Sequence, residues 1–121
     1  MKTILVIEDQ PQMRRNVCTV LEMEGFEVLT AENGRLGVAA AKEDLPDLIL
    51  CDVMMPELDG YETTKAIRLR PEFERLPIIA LTAKAMKGDR ERSIAAGASD
   101  YITKPVDVDQ LLSLMRVWLY R

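Results

Sequence analysis

Histidine is absent from this chain of 121 residues. That excludes a histidine general base, a histidine metal ligand and an internal phosphohistidine. Cysteine is nearly absent: Cys18 falls in an amphipathic pattern and Cys51 in an apolar run, which suits small reduced core residues rather than a disulfide framework. No glycine-rich loop follows the first apolar run, where Glu8-Asp9-Gln10-Pro11 stands, so a nucleotide cradled by such a loop is not expected. No run is long enough to cross a bilayer, and the five uncharged residues between Lys2 and Glu8 are too few for a signal peptide. A cytoplasmic protein with no membrane contact is expected. An excess of positive charge is also lacking. Lys and Arg number 16 against 20 Asp and Glu, with a formal charge of -4 and a pI near 4.9, so direct nucleic-acid binding is not expected.

What is present is a repeating order of short apolar runs and amphipathic stretches. Thr3 to Ile7 reads as a β-branched strand closed by Glu8-Asp9. Asp9, with Gln12 three residues on, resembles a helix start leading into Met13, Val17, Val20 and Leu21, and Gly25 ends that helix. Phe26 to Ala31 is a second strand, and Asn33-Gly34 opens a helix that runs to Asp44, with Pro46 forbidding its continuation. Leu48 to Asp52 lacks polar alternation and so predicts a strand buried on both faces. A helix over residues 61–68, with Ile67 and Ala66 toward the sheet, a strand over 77–82, a helix from Asp89 stopped by Gly97, and a strand from Asp100 to Pro105 follow. The last helix carries Leu111, Leu112, Met115, Trp118 and Leu119. Strands alternating with helices, without hairpin dipeptides, predict an α/β fold: one doubly wound, five-stranded parallel sheet in a single domain over residues 1–121.

The residues with chemistry gather at strand ends. Glu8 and Asp9 end the first strand, Asp52 the third, Thr82 the fourth and Lys104 the fifth. In a parallel sheet those carboxyl ends share one edge and one crevice. Three carboxylates there repel one another by about 1 kcal/mol per pair in water and about 4 kcal/mol at the effective dielectric of a protein surface. A cation must therefore sit among them, and with only oxygen ligands on offer it is a hard one, Mg²⁺ or Mn²⁺. Lys104 adds a point charge suited to a phosphate oxygen, and the Thr82 hydroxyl can donate to another. The chemistry that results is phosphoryl transfer onto the Asp52 carboxylate.

Glu8-Asp9, the Asp52 strand with Met55-Pro56 and Asp59-Gly60 after it, Leu81-Thr82-Ala83 and Lys104-Pro105, in that order, resemble the receiver domains of two-component response regulators over nearly the whole chain. The resemblance implies a flavodoxin-like (βα)5 fold with strand order 2-1-3-4-5, Asp52 as phosphoacceptor and Lys104 on the phosphoryl group. It implies Asp9, Asp52 and the Met54 carbonyl as direct Mg²⁺ ligands. Glu8, where the commoner residue is Asp, would act through a metal-bound water. A cis Lys104-Pro105 bond is implied as well. Phosphorylation adds about -1.5 to -2 charges, and the resemblance implies that Thr82 is then drawn to the phosphoryl group and Tyr101 turns inward behind it. Moving a resting mixture from about 1:99 to about 99:1 needs about 5.5 kcal/mol, so a partner completes the switch.

The implied donor is a sensor histidine kinase or a histidine phosphotransfer protein within a phosphorelay. The implied readout face is the fourth helix, fifth strand and fifth helix, through which a downstream protein is contacted; a homodimer is left open. Ala85 to Glu91 and Ala96 to Tyr101 look most like receivers fused to sensor kinases, while Met1 and the stop at the last helix fit a single-domain or excised receiver. Turnover of an external substrate is not expected. A haloacid-dehalogenase-type phosphohydrolase would need an Asp two residues after the nucleophile, where Met54 stands. A degenerate receiver serving only as an interaction module would not need all five site residues.

Met54, Ala83 and Lys84 flank the acceptor and Thr82, and set phosphate lifetime in this reading. Apolar Met54 would hinder the attacking water. A Met54→Asn variant is expected to lose its phosphoryl group faster than the parent, followed as decay of the phosphorylated intact mass; equal decay would contradict the role.

Overall fold

The computed structural model describes residues 1–82 and 88–120. Five strands and five helices alternate: β1 (Thr3–Ile7), α1 (Pro11–Met23), β2 (Glu27–Ala31), α2 (Gly34–Asp44), β3 (Leu48–Asp52), α3 (Gly60–Arg68), β4 (Ile78–Thr82), α4 (Asp89–Ala96), β5 (Asp100–Thr103) and α5 (Val108–Tyr120), with a 3-10 turn at Pro71–Phe73. The strands form one parallel sheet in the order β2-β1-β3-β4-β5. This is the doubly wound parallel sheet expected from the strand–helix alternation, in the flavodoxin-like order that the resemblance to receiver domains implies.

The alternation of side chains along each strand builds two cores. Ile4, Val6, Leu48, Leu50, Ile79, Leu81 and Ile102 pack with Val17 and Leu21 of α1 and Leu111, Leu112 and Met115 of α5. Their neighbours Leu5, Ile7, Ile49, Cys51 and Ile78 face the other way, onto Ala41 of α2, Ile67 of α3 and Phe73. Both faces of the sheet are therefore buried, which is why β3 and β4 carry no polar alternation.

Several element ends differ from the sequence expectation. Asp9 does not cap α1: the N-cap is Gln10, without a side-chain capping bond, and Pro11 occupies the first turn. Proline is tolerated there because its missing N–H would be unpaired in any case. Phe26 lies outside β2. The buried face of α3 is Gly60, Thr63, Thr64 and Ile67, with Ala66 only partly covered; the threonines can be buried because their hydroxyls bond back to the Asp59 and Gly60 carbonyls, at 2.7 and 2.8 Å. Asn33 caps α2 through its side chain, and α2 ends at Leu45 in a left-handed conformation. Asp59 and Glu62 form a reciprocal capping box on α3. α4 stops at Gly97, which is left-handed as expected.

Gly60 matters for the site because α3 starts directly against the end of β3. Its N–H donates to the Val53 carbonyl at 3.2 Å, and an added Cβ would strike the Asp52 carbonyl oxygen and Val53 Cα. Gly60→Ala is expected to destabilise the fold by about 1–3 kcal/mol through overpacking, measured as a lowered urea midpoint; an unchanged midpoint would mean that the loop below Asp52 yields freely.

Candidate functional site

The strand register brings the site together. Ile7 lies opposite Cys51, so Glu8 and Asp52 leave neighbouring strands side by side. Thr82 lies opposite Thr103, and the Lys104 N–H donates to the Thr82 carbonyl at 2.7 Å. Carboxylate oxygens of Glu8, Asp9 and Asp52 fall within 4.8 Å of one another. Lys104 Nζ lies 2.9 Å from Glu8 Oε1 and 3.1 Å from Asp52 Oδ1, and the Met54 N–H donates to the same Asp52 oxygen at 3.2 Å. The Lys104-Pro105 bond is cis.

Glu8 and Asp52 are buried polar residues. Burial pushes the Glu8 carboxyl above its ordinary range, Asp52 adds to that, and Lys104 opposes it. For Lys104, burial works against the ammonium, but the hydrogen bond to Glu8 and the charge of Asp52 outweigh it, so its pKa is raised. Cys51, immediately beneath, is a buried free thiol pushed far up by burial, which makes it a core residue and not a nucleophile.

Glu8 is saturated: besides Lys104, its Oε2 accepts from the Gln10 N–H at 3.3 Å, and its carbonyl accepts from Arg14 Nη1 at 2.8 Å. Asp9 is the opposite case, since its buried Oδ1 has no hydrogen-bond partner among the described residues. A buried carboxylate oxygen without a donor is costly. An all-oxygen donor set of this span, net negative and with one orphaned oxygen, fits a hard divalent cation. These residues could therefore hold a metal ion.

Other expected site residues are placed as follows. The Thr82 hydroxyl is buried and donates to the Ile102 carbonyl at 3.4 Å. Tyr101 is partly buried and packs on Val53, Ala80 and Ala98. The Met54 side chain is 68% exposed, beside the cluster rather than within it. Ala83 and Lys84 lie outside the described residues. Arg14 was not foreseen in this site; the signal for it was its place on the first helix, one turn in and close enough to reach back over the strand end.

A strand-edge site of three acids and one lysine on a doubly wound sheet defines a class of signalling domain, and comparison with known proteins agrees. The model of the response regulator receiver domain family matches residues 4–116. PilH of Pseudomonas aeruginosa is 38% identical, over 98% of each chain. The polar-differentiation response regulator DivK of Brucella anthropi is 36% identical, over 98% of this chain and 96% of its own. Among solved structures, the receiver domain of the sensor histidine kinase PA1611 of Pseudomonas aeruginosa, which has a magnesium ion coordinated in its active-site cleft, superposes with a TM-score of 0.92 at 37% identity, covering 99% of this chain and 98% of that one.

The chain belongs to the response regulator receiver domain family. It is a receiver of two-component signalling, and its relatives are signalling regulators. Among the described residues, no helix is long and apolar enough to cross a membrane.

Without a divalent cation, Asp9→Asn is expected to stabilise the fold by on the order of 1 kcal/mol, the scale of one relieved carboxylate pair. Urea denaturation in EDTA measures this, and saturating Mg²⁺ should shrink or reverse the difference. A destabilised Asp9→Asn in EDTA would show that the acids are not in mutual repulsion.

Proposed function

We propose that Asp52 accepts a phosphoryl group from a phosphohistidine on a sensor histidine kinase or a histidine phosphotransfer protein. The supporting observation is the pairing of Lys104 with a buried acid at the β3 end, beside the partnerless Asp9 oxygen. The donor must be external, since the chain has no histidine. Asp52 forms an O–P bond as the N–P bond of the donor breaks; the imidazole leaves with the bonding pair and takes a proton from water. Lys104 neutralises charge on a phosphoryl oxygen, and the Met54 N–H and Lys104 hold Asp52 Oδ1 in place.

Mg²⁺ is the ion that the donor set and the related PA1611 receiver favour, with Mn²⁺ as a substitute. Asp9, Asp52 and the Met54 carbonyl would hold it, and bound there it supplies Lewis-acid neutralisation of phosphoryl charge. Glu8, with both oxygens already engaged, serves mainly to hold Lys104.

Thr82 and Tyr101 form the switch. Thr82 exchanges its bond to Ile102 for the phosphoryl group, and Tyr101 on β5 follows. A downstream protein, or a second copy of the chain, reads the face of α4, β5 and α5. One receiver unit acts here, in the cytoplasm, without turning over an external substrate; Met54, Ala83 and Lys84 set how long the phosphoryl group stays.

Phosphoramidate, a small N–P donor, tests the reading by intact mass. The parent is expected to gain one phosphoryl group in Mg²⁺, Asp52→Asn none, and Lys104→Met to react about 10²-fold more slowly, the scale for losing one charge-stabilising group. Equal labelling of Asp52→Asn and parent would overturn the assignment.

A further inference from the structure

The β1–α1 turn that carries Glu8 and Asp9 lacks the usual device for holding a helix start. Gln10 makes no side-chain capping bond and Pro11 has no N–H to offer, while Asp9, the residue whose type would cap, keeps its Oδ1 buried and, among the described residues, without a partner. The Gln10 N–H donates to Glu8 Oε2 at 3.3 Å, and a second tie crosses the turn. Glu8 lies one residue beyond β1; its N–H donates to the Ala31 carbonyl of β2 at 3.0 Å, and its carbonyl accepts from Arg14 Nη1 at 2.8 Å, a charge-assisted bond across the turn from the helix that follows it.

We infer that Arg14 is a positioning residue for the cation site: its tie to the Glu8 carbonyl orients Asp9, whose carboxylate can then stay uncapped and available. The inference rests on the reading of Asp9 as a cation ligand. Outer partners that orient a metal ligand typically contribute 10–100-fold to metal affinity. Arg14 is suited to this because a guanidinium presents several donors in a rigid fork.

Two roles for Arg14 predict opposite signs. As a mere neighbouring charge it would repel the cation, and its removal would tighten binding. As a tie, its removal loosens Asp9 and weakens binding. Arg15 is the internal control, since it is exposed, carries the same charge and, among the described residues, bonds only Gln12, at 3.2 Å.

The experiment is calorimetric titration with Mg²⁺ alone on the full chain. Arg14→Met is expected to weaken binding about 10-fold, Arg14→Lys to restore most of it, and Arg15→Met to leave it unchanged or slightly tighter. Arg14→Gln, polar but shorter, is titrated alongside in case Arg14→Met does not fold, and should weaken binding similarly. Arg14→Met or the folded Arg14→Gln binding Mg²⁺ as tightly as the parent, or more tightly, would overturn the inference while leaving the cation site intact. A parent that binds no Mg²⁺ would overturn both.

Discussion

Lys104 between Glu8 and Asp52 is the interaction on which the rest of the site depends. Its side chain is 22% exposed, against 0% and 2% for the two acids it bridges. Two buried carboxylates side by side are tolerable only with a cation between them. The sheet order makes that cation hard to supply: β5 stands three positions from β1, about 14 Å at the usual inter-strand spacing. A lysine reaching from the loop after β5 meets a glutamate reaching from the end of β1. The acid at position 8 meets that lysine at 2.9 Å. Asp9 is left over, with an oxygen that nothing among the described residues satisfies.

Around this rigid pair the other site residues are less committed. The Thr82 hydroxyl makes a bond of 3.4 Å to Ile102, beyond the usual range for O–H donors and so easily exchanged. Tyr101 is only partly covered, against a small cluster separate from the two main cores. On the proposed reading, the fixed part of the site binds charge and the loosely held part reports it. Arg68 provides a fixed point for that motion: its guanidinium donates to the Gly97 and Phe73 carbonyls at 2.8 and 2.6 Å and so ties the end of α4 to α3.

Much of this was legible in the sequence because strands buried on both faces announce themselves as unbroken apolar runs, and parallel topology then places their carboxyl ends together. Leu48–Asp52 and Ile78–Thr82 needed no other signal. Helix ends were harder. Asp9 with Gln12 matched the pattern of a helix start, yet the turn takes its first residue from Pro11, and the acid is spared for the cluster. Asp59, expected only as a residue before the third helix, caps α3 in a reciprocal box with Glu62, because Gly60 joins α3 and moves the start one residue earlier. Met54 follows an apolar run but sits on its open side; composition carries no information about which face a loop residue takes. Gly37, against which Ile7 packs tightly, and the reach of Arg14 to Glu8 depend on how α2 and α1 dock, which no local pattern encodes.

On the proposed reading, Asp52 alone among three neighbouring carboxylates becomes the acyl phosphate. Reductive trapping tests it most directly: the phosphorylated chain is treated with borohydride, which converts a phosphorylated aspartate to homoserine, and the position is read by peptide sequencing. Homoserine at position 52 alone, formed only when Mg²⁺ was present during phosphorylation, is the predicted result. Conversion at Asp9 or at any other aspartate in place of Asp52 would contradict the account.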